Sequence, residues 1–436
     1  MDNGKGINSK DIDRVMKFGS QSPDERRNEK DLGRFGLGLK TASLSQAKRF
    51  TVCSKIENDI VCKTWDVDHI KEVKDWQVIN TKFNIELPYY NKLHKLTNGT
   101  IILWEKMDKV LSDKWEVNNY KDECKFIELK QKVQKHIEMV FHRFLEGKTP
   151  LINIYINNKK VKPWDPFFEN HTATERTPEE PIPIGNEIVK IKGFILPHKD
   201  KLSIEEYETF KGIKGWTNQQ GFYIYRNKRM LVAGDWLGLG DNNKIWTKEE
   251  QYKLARIRID IPNTLDLDWD IDVKKSKAKP PQSLKYRIIS LAQDVRLKAR
   301  EVFAHRGQYK KRSSELAVES IWKSNIIEGK RNYFLDRKHA LIKQVIKNTS
   351  DKTSLNALLT IIEQTVPIER IWLEVAEKPE SHMKSFEDIK NNEILELAKE
   401  YYESLTTIDN LTREEAINKI LNTDGFRYYE NIINKL

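Results

Sequence analysis

Two short stretches interleave glycine with groups that can hold an anion: DNGKG at residues 2–6 and GRFGLGLKTAS at residues 33–43. Glycines let main-chain amides approach phosphate oxygens closely, and amides opening a helix point at the anion. Lys40 adds a cation, while Thr41 and Ser43 add hydroxyl donors. The spacing of Gly33, Gly36 and Gly38 is G-x-x-G-x-G, which alone also fits dinucleotide turns and kinase loops. A dinucleotide turn needs a strand just before it, but residues 24–32 are charged and polar. A protein kinase needs a downstream Asp-Phe-Gly, and a Walker loop needs Gly-Lys-Ser/Thr at fixed spacing. Neither occurs in the chain.

The elements that would position these groups follow from periodicity. Residues 9–18 predict a short helix, with Ser9 as N-cap, Asp11 and Asp13 in its first turn and an apolar stripe of Ile12, Val15, Met16 and Phe18. Residues 19–32 predict a polar loop, and LKTASLSQA a helix. RFTVCSK, DIVCKTWDV and residues 99–107 alternate as strands, with a turn at Asn58-Asp59. Residues 122–145 predict one long amphipathic helix through Phe126, Leu129, Val133, Ile137, Val140, Phe141 and Phe144. A second β-rich segment opens at residue 151 with a hairpin turn at Asn157-Asn158. Residues 165–189, rich in Pro, Glu and Thr, predict a loop, and from residue 281 the pattern is helical to the end. Trp322, Tyr333, Phe334 and Trp372 are assigned to core, and His136 and His142, without metal-ligand spacing, to no chemistry.

DNGKG, a short helix, a polar loop, G-x-x-G-x-G and a helix, followed by the Gly99-Thr100 pair opening a strand, resembles the GHKL family of gyrase B, heat-shock chaperone, histidine kinase and MutL ATPases. GLGLKTAS is most similar to the MORC group. The resemblance implies that Asp2 accepts a hydrogen bond from the adenine amino group, a role that suits a pure acceptor. It implies that Gly4 and Gly6 leave room for base and ribose, and that Thr100 supports adenine through a water. Residues 19–38 become an ATP lid, with Gly33, Phe35, Gly36, Leu37 and Gly38 around the phosphates and Lys40 and Thr41 beside them. ATP and Mg²⁺ are the implied cofactors.

Resemblance to the gyrase, MutL and MORC kinds implies a transducer domain after the ATPase that delivers a basic residue to the γ-phosphate. DLDWDIDVKKSKAKPP (266–281) is the candidate, with Lys275 first and Lys274 and Lys277 next. An ammonium there stabilises the developing phosphate charge. The family's water-activating Glu and Mg²⁺-holding Asn belong to a helix ahead of the DNG motif, and this sequence starts one residue before that Asp. The expectation is a longer natural protein in which an in-frame Glu-x-x-x-Asn helix precedes Met1. ATP hydrolysis is accordingly assigned to a full-length form.

The 436 residues, with a net charge of +11, suit two or three domains. The expected fold is α+β: a Bergerat-type α/β sandwich ATPase domain over 1–148, a βαβ transducer-like domain over 149–308 and a helical region over 309–436. No apolar run spans a bilayer and no signal peptide opens the chain, so the expected location is the cytoplasm, with no membrane partner. Cys53, Cys62 and Cys124 match no zinc pattern and are expected as unpaired thiols. The functional expectation is an ATP-driven switch in which the lid closes and two protomers dimerise. Its rivals are a DNA-associated clamp, motivated by the basic excess, a degenerate scaffold that does not hydrolyse nucleotide, and a chaperone. A sensor kinase is disfavoured because no phosphoacceptor helix precedes the site.

Overall fold

The computed structural model describes residues 1–436 except 20–31, 34, 35, 111–118, 213, 242, 243, 272–277, 305–319, 328, 329, 378–385, 387 and 424. Phe35, Lys274, Lys275 and Lys277 therefore lie outside the described residues, as does the Trp372 side chain. The chain is a mixed α+β protein and divides into two compact units, residues 1–307 and 308–436.

The first unit begins with α1 (Ile12–Met16) and α2 (Gly38–Leu44), then β1 (Arg49–Ile56), β2 (Asp59–Asp66), α3 (Val67–Val73), β3 (Ile79–Asn80), α4 (Pro88–His94) and β4 (Asn98–Glu105). The strands form a sheet in the order β3-β2-β1-β4, and Asp2 joins β4 through an isolated antiparallel bridge to Thr100. β1 is central and buried on both faces. Because successive side chains alternate, Phe50 and Val52 meet Ile12 and Met16 of α1, while Cys53 meets Tyr90 and Leu93 of α4. The turn into β2 uses Glu57-Asn58, one residue earlier than expected. α1 is not capped by Ser9: the Asn8 side-chain oxygen accepts from the amides of Lys10 (3.0 Å) and Asp11 (2.8 Å), closing the turn ahead of the helix. Cys53 and Cys62 are directly opposed across β1 and β2 and form a disulfide, which corrects the expectation of three unpaired thiols. Cys124 is free and half-buried.

The long helix α5 (Tyr120–Val140) breaks at Phe141, where φ is −108° and ψ 12°, and resumes as the short α6 (His142–Leu145). Sequence periodicity had no signal for that break, because the apolar spacing runs straight through it. The break turns His142 and Arg143 onto the next sheet: His142 shares a 2.6 Å hydrogen bond with Tyr225, and Arg143 pairs with Asp260. Burial pushes the Tyr225 hydroxyl well above its ordinary pKa, so it stays protonated in its hydrogen bond with His142 Nε2.

The second sheet is approached through the hairpin β5 (Tyr155–Ile156) and β6 (Lys159–Lys160), whose Asn157-Asn158 turn has both residues at positive φ, as expected. Its own strands are β7 (Glu175–Arg176), β8 (Glu180–Ile184), β9 (Glu187–Ile195), β10 (Gly221–Arg226), β11 (Arg229–Asp235) and β14 (Ala255–Ile261). Their order is β11-β10-β14-β9-β7, with β8 also on β9. β7 and β8 occupy what the sequence predicted as loop. Pro181 and Pro183 misled that reading, since β8 lies at a margin of the sheet where a strand tolerates a missing N–H. Two short helices, α7 (Ile204–Lys211) and α8 (Gly215–Asn218), precede β10. The parallel pair is β10 with β14, and the chain between them carries β11, the hairpin β12 (Gly240–Asp241) and β13 (Lys244–Ile245), and a 3₁₀ turn. α9 (Gln282–Ala304) covers the sheet with Leu284, Ile288, Ala292, Val295 and Ala299. Gly193 on β9 permits this approach, because a Cβ there would lie 2.3 Å from Val295 Cγ2.

The second unit is not wholly helical. It opens with the hairpin β15 (Trp322–Ile327) and β16 (Lys330–Leu335), leaving Tyr333 exposed rather than in a core, with Trp322 and Phe334 half-buried. α10 (Ala340–Asn348), α11 (Lys352–Gln364), α12 (Ile368–Glu377), α13 (Asn391–Thr407), α14 (Arg413–Leu421) and α15 (Glu430–Ile433) follow. Its core is the α13 stripe of Ile394, Ala398, Tyr401 and Leu405 against Ala416, Ile420 and Ile433. No described helix is long and apolar enough to cross a membrane.

Candidate functional site

The DNGKG turn is built on the free edge of β4. Asp2 N donates to Thr100 O (2.8 Å) and Thr100 N to Asp2 O (3.3 Å). Asp2 Oδ1 accepts from Gly4 N at 2.9 Å, so the side chain folds its own turn and leaves Oδ2 without a partner among the described residues. Gly6 has φ +77°, and a Cβ on it would meet Lys55 O at 2.4 Å, so only glycine fits. Gly99 is equally constrained: its Cβ would lie 2.4 Å from Asp2 O.

The hub of this arrangement is Ser54 of β1, which the sequence reading missed. Its hydroxyl, fully buried, accepts from Ile7 N (2.7 Å) and lies within hydrogen-bond distance of Gly99 O (3.1 Å) and Thr100 Oγ1 (2.9 Å). A hydroxyl has one proton and two lone pairs. With Ile7 N on one lone pair, every group is satisfied when Ser54 donates to Gly99 O and Thr100 donates to Ser54. Thr100 then presents only lone pairs to a ligand or to a water. Ser54→Ala should strand the Ile7 amide and cost about 2 kcal/mol of stability, read as a shift in the urea unfolding midpoint. An unchanged midpoint would remove Ser54 from this role.

The second glycine cluster leads into α2. Gly36 has φ +60°, a conformation that β-branched residues avoid. Among the described residues Leu37 caps α2 without a side-chain acceptor, and a Cβ on Gly38 would meet no atom within 4 Å. Gly33 and Gly38 are exposed, and Gly36 and Leu37 half-buried. Lys40 stands elsewhere: it is buried, its Nζ donates to Val15 O at 2.8 Å, and burial lowers its pKa. It thereby ties α2 to the last turn of α1. Thr41 Oγ1 donates to Leu37 O (3.0 Å), and Ser43 Oγ accepts from Trp104 Nε1 (3.0 Å). The structure thus brings Asp2, Gly4, Gly6 and Thr100 together around Ser54, and assembles Gly36, Leu37, Gly38 and Thr41 at the start of α2.

Lys274, Lys275 and Lys277 are outside the described residues, but both ends of their segment are anchored. Ile271 and Ala278 are buried, and Lys279 N returns to Trp269 O at 2.8 Å. Just upstream, Arg226 of β10 holds Asp266 in a buried two-point pair at 2.6 and 2.8 Å. Among the described residues no group of three or more His, Cys, Asp or Glu side chains could hold a metal ion.

Residues 1–100 match the family of histidine kinase-, DNA gyrase B- and HSP90-like ATPases. The mixed α+β architecture agrees with that ATPase fold. No curated protein matches the chain.

Proposed function

We propose that the N-terminal domain binds ATP in the GHKL manner and uses it as a conformational switch. The observation that carries this reading is the Asp2 carboxylate, held by Gly4 N through one oxygen and open through the other, beside Thr100 in a segment that matches the ATPase family. The open oxygen would accept from the adenine amino group, and the Thr100 lone pairs from a bridging water. The uncapped amides of α2 would meet the phosphates, because a helix start without a side-chain acceptor favours an anion. Lys40 would contribute by fixing α2 rather than by touching phosphate. Mg²⁺ would arrive on the nucleotide's own oxygens. Residues 19–38 would close as a lid, Lys275, with Lys274 beside it, would reach the γ-phosphate from the second sheet, and closure would favour a homodimer of MORC or MutL type. Domain limits at 148 and 308 belong to the same proposal.

Gly38→Ala separates phosphate binding from folding. Its methyl group meets no atom of the described residues within 4 Å, so stability should stay level or rise by about a few tenths of a kcal/mol. If phosphate sits on the α2 amides, the same methyl would crowd it, so ATP affinity should fall about tenfold. Equilibrium dialysis with radiolabelled ATP checks this. No ATP retained by the wild type at millimolar concentration, or equal retention by the variant, would sink the assignment.

A further inference from the structure

An open cavity of about 290 Å³ lies in the first unit between the β12–β13 hairpin and the start of α9. The hairpin supplies Lys244 and Ile245, the helix supplies Gln282, Lys285 and Tyr286, and Gly238 lines the entrance to the hairpin. Both lysines lack a carboxylate partner among the described residues, whereas Arg287 on the same helix is bonded to Glu180 and Lys279 stands 3.5 Å from Asp270. Two lysines thus line one cavity without a salt bridge among the described residues, Lys244 standing opposite Asp241 in the hairpin register, beside a Tyr286 that is 82% exposed and an Ile245 that is 63% exposed.

The base of the hairpin is held beside α9 by contacts next to the cavity. Arg296, buried on α9, lies 4.6 Å from the centre of the Trp236 ring, 4.8 Å from Trp246 and 3.7 Å from Tyr252. Trp236 and Trp246 flank the hairpin, and Trp246 N donates to Leu239 O at 2.9 Å across its base. A cation among three rings holds the hairpin against the helix. Gly240 closes the hairpin so tightly that a Cβ would lie 2.0 Å from Lys244 O. Gly238, at φ +66°, faces open space, which keeps the cavity clear.

We propose that this cavity binds a nucleotide unit, its phosphate between Lys244 and Lys285 and its base on the Tyr286 ring. Two ammoniums suit a phosphate, and an exposed ring beside apolar surface suits a base face. A bare phosphate would leave the ring and Ile245 unused. A duplex would keep its base faces stacked inside the helix. The unit is thus either an isolated nucleotide or one residue of a single strand. This inference is independent of the adenine site.

Fluorescence anisotropy of a labelled oligo-thymidylate at low salt tests it on the whole chain, because thymine lacks the amino group that Asp2 would accept. Lys244→Gln with Lys285→Gln, and separately Tyr286→Ala, should each weaken binding at least about tenfold. The control Lys159→Gln with Lys160→Gln, equal in charge change on the β5–β6 hairpin, should change it less than about twofold. Thermal unfolding monitors the fold of each variant. Competition by thymidine monophosphate, weakened by the same substitutions, assigns an isolated nucleotide; strand binding without that competition assigns a strand, and either supports the site. No binding by the wild type, an equal loss in the control, an unaffected Tyr286→Ala, or equal displacement by oligo-glutamate overturns it.

Discussion

Asp2→Asn is expected to weaken ATP binding about a hundredfold with little change in melting temperature. The reason lies in the two oxygens of the carboxylate. Oδ1 is engaged by Gly4 N at 2.9 Å, and an asparagine keeps that bond through its own carbonyl oxygen. Its NH₂ group then occupies the position of Oδ2 and faces the adenine amino group, donor against donor. The turn survives while the ligand contact becomes repulsive, so affinity and stability should separate. Isothermal titration with ATP, alongside thermal unfolding without nucleotide, checks both halves. Wild-type affinity in this variant would remove Asp2 from the adenine contact.

Gly99→Ala is expected to abolish measurable ATP binding by a different route. The added Cβ would lie 2.4 Å from Asp2 O, with Leu96 Cδ1 at 3.1 Å. A backbone oxygen cannot rotate aside as a flexible side chain can, so the bridge between Asp2 and Thr100 must open. Losing that pair of hydrogen bonds and displacing the carboxylate should cost about 2–3 kcal/mol in stability. The rest of the sheet, held by the β1–β4 register, should persist in the far-ultraviolet circular dichroism. Preserved ATP binding in Gly99→Ala would mean that the bridge does not position the site.

Legibility in the sequence followed backbone demand. Gly6, Gly36 and Gly99 sit where positive φ or close approach admits little else, and such positions show in a sequence as glycine. Asp2 and Thr100 were legible as part of the ordered set of motifs. Ser54 was not, because one serine in an alternating strand has no distinguishing type or spacing. Lys40 was legible as a cation but not as a buried one: its partner is a carbonyl 25 residues earlier, and no local pattern reports that. The Cys53–Cys62 pair depends on strand register, which the odd cysteine count concealed. β8 and the β15–β16 hairpin were hidden by prolines and by a charged helical context, both local signals that pairing with a neighbouring strand overrides.

α5 unites two different physical regimes in one 21-residue helix. Near its end Val140 is buried, Met139 packs with the second-sheet core and Glu138 O accepts from Trp164 N at 3.0 Å. Near its start Phe126, Leu129 and Val133 remain well exposed. The last turns therefore serve as a nucleus held by tertiary packing, and the first turns depend on propagation from it. In the first turns the Asn119 cap and the buried Asp122 supply the local anchors, and fewer apolar side chains are buried there. Amide exchange along α5 should then fall progressively from its first turns to its last, so that a single element reports a gradient of local opening free energy rather than one value.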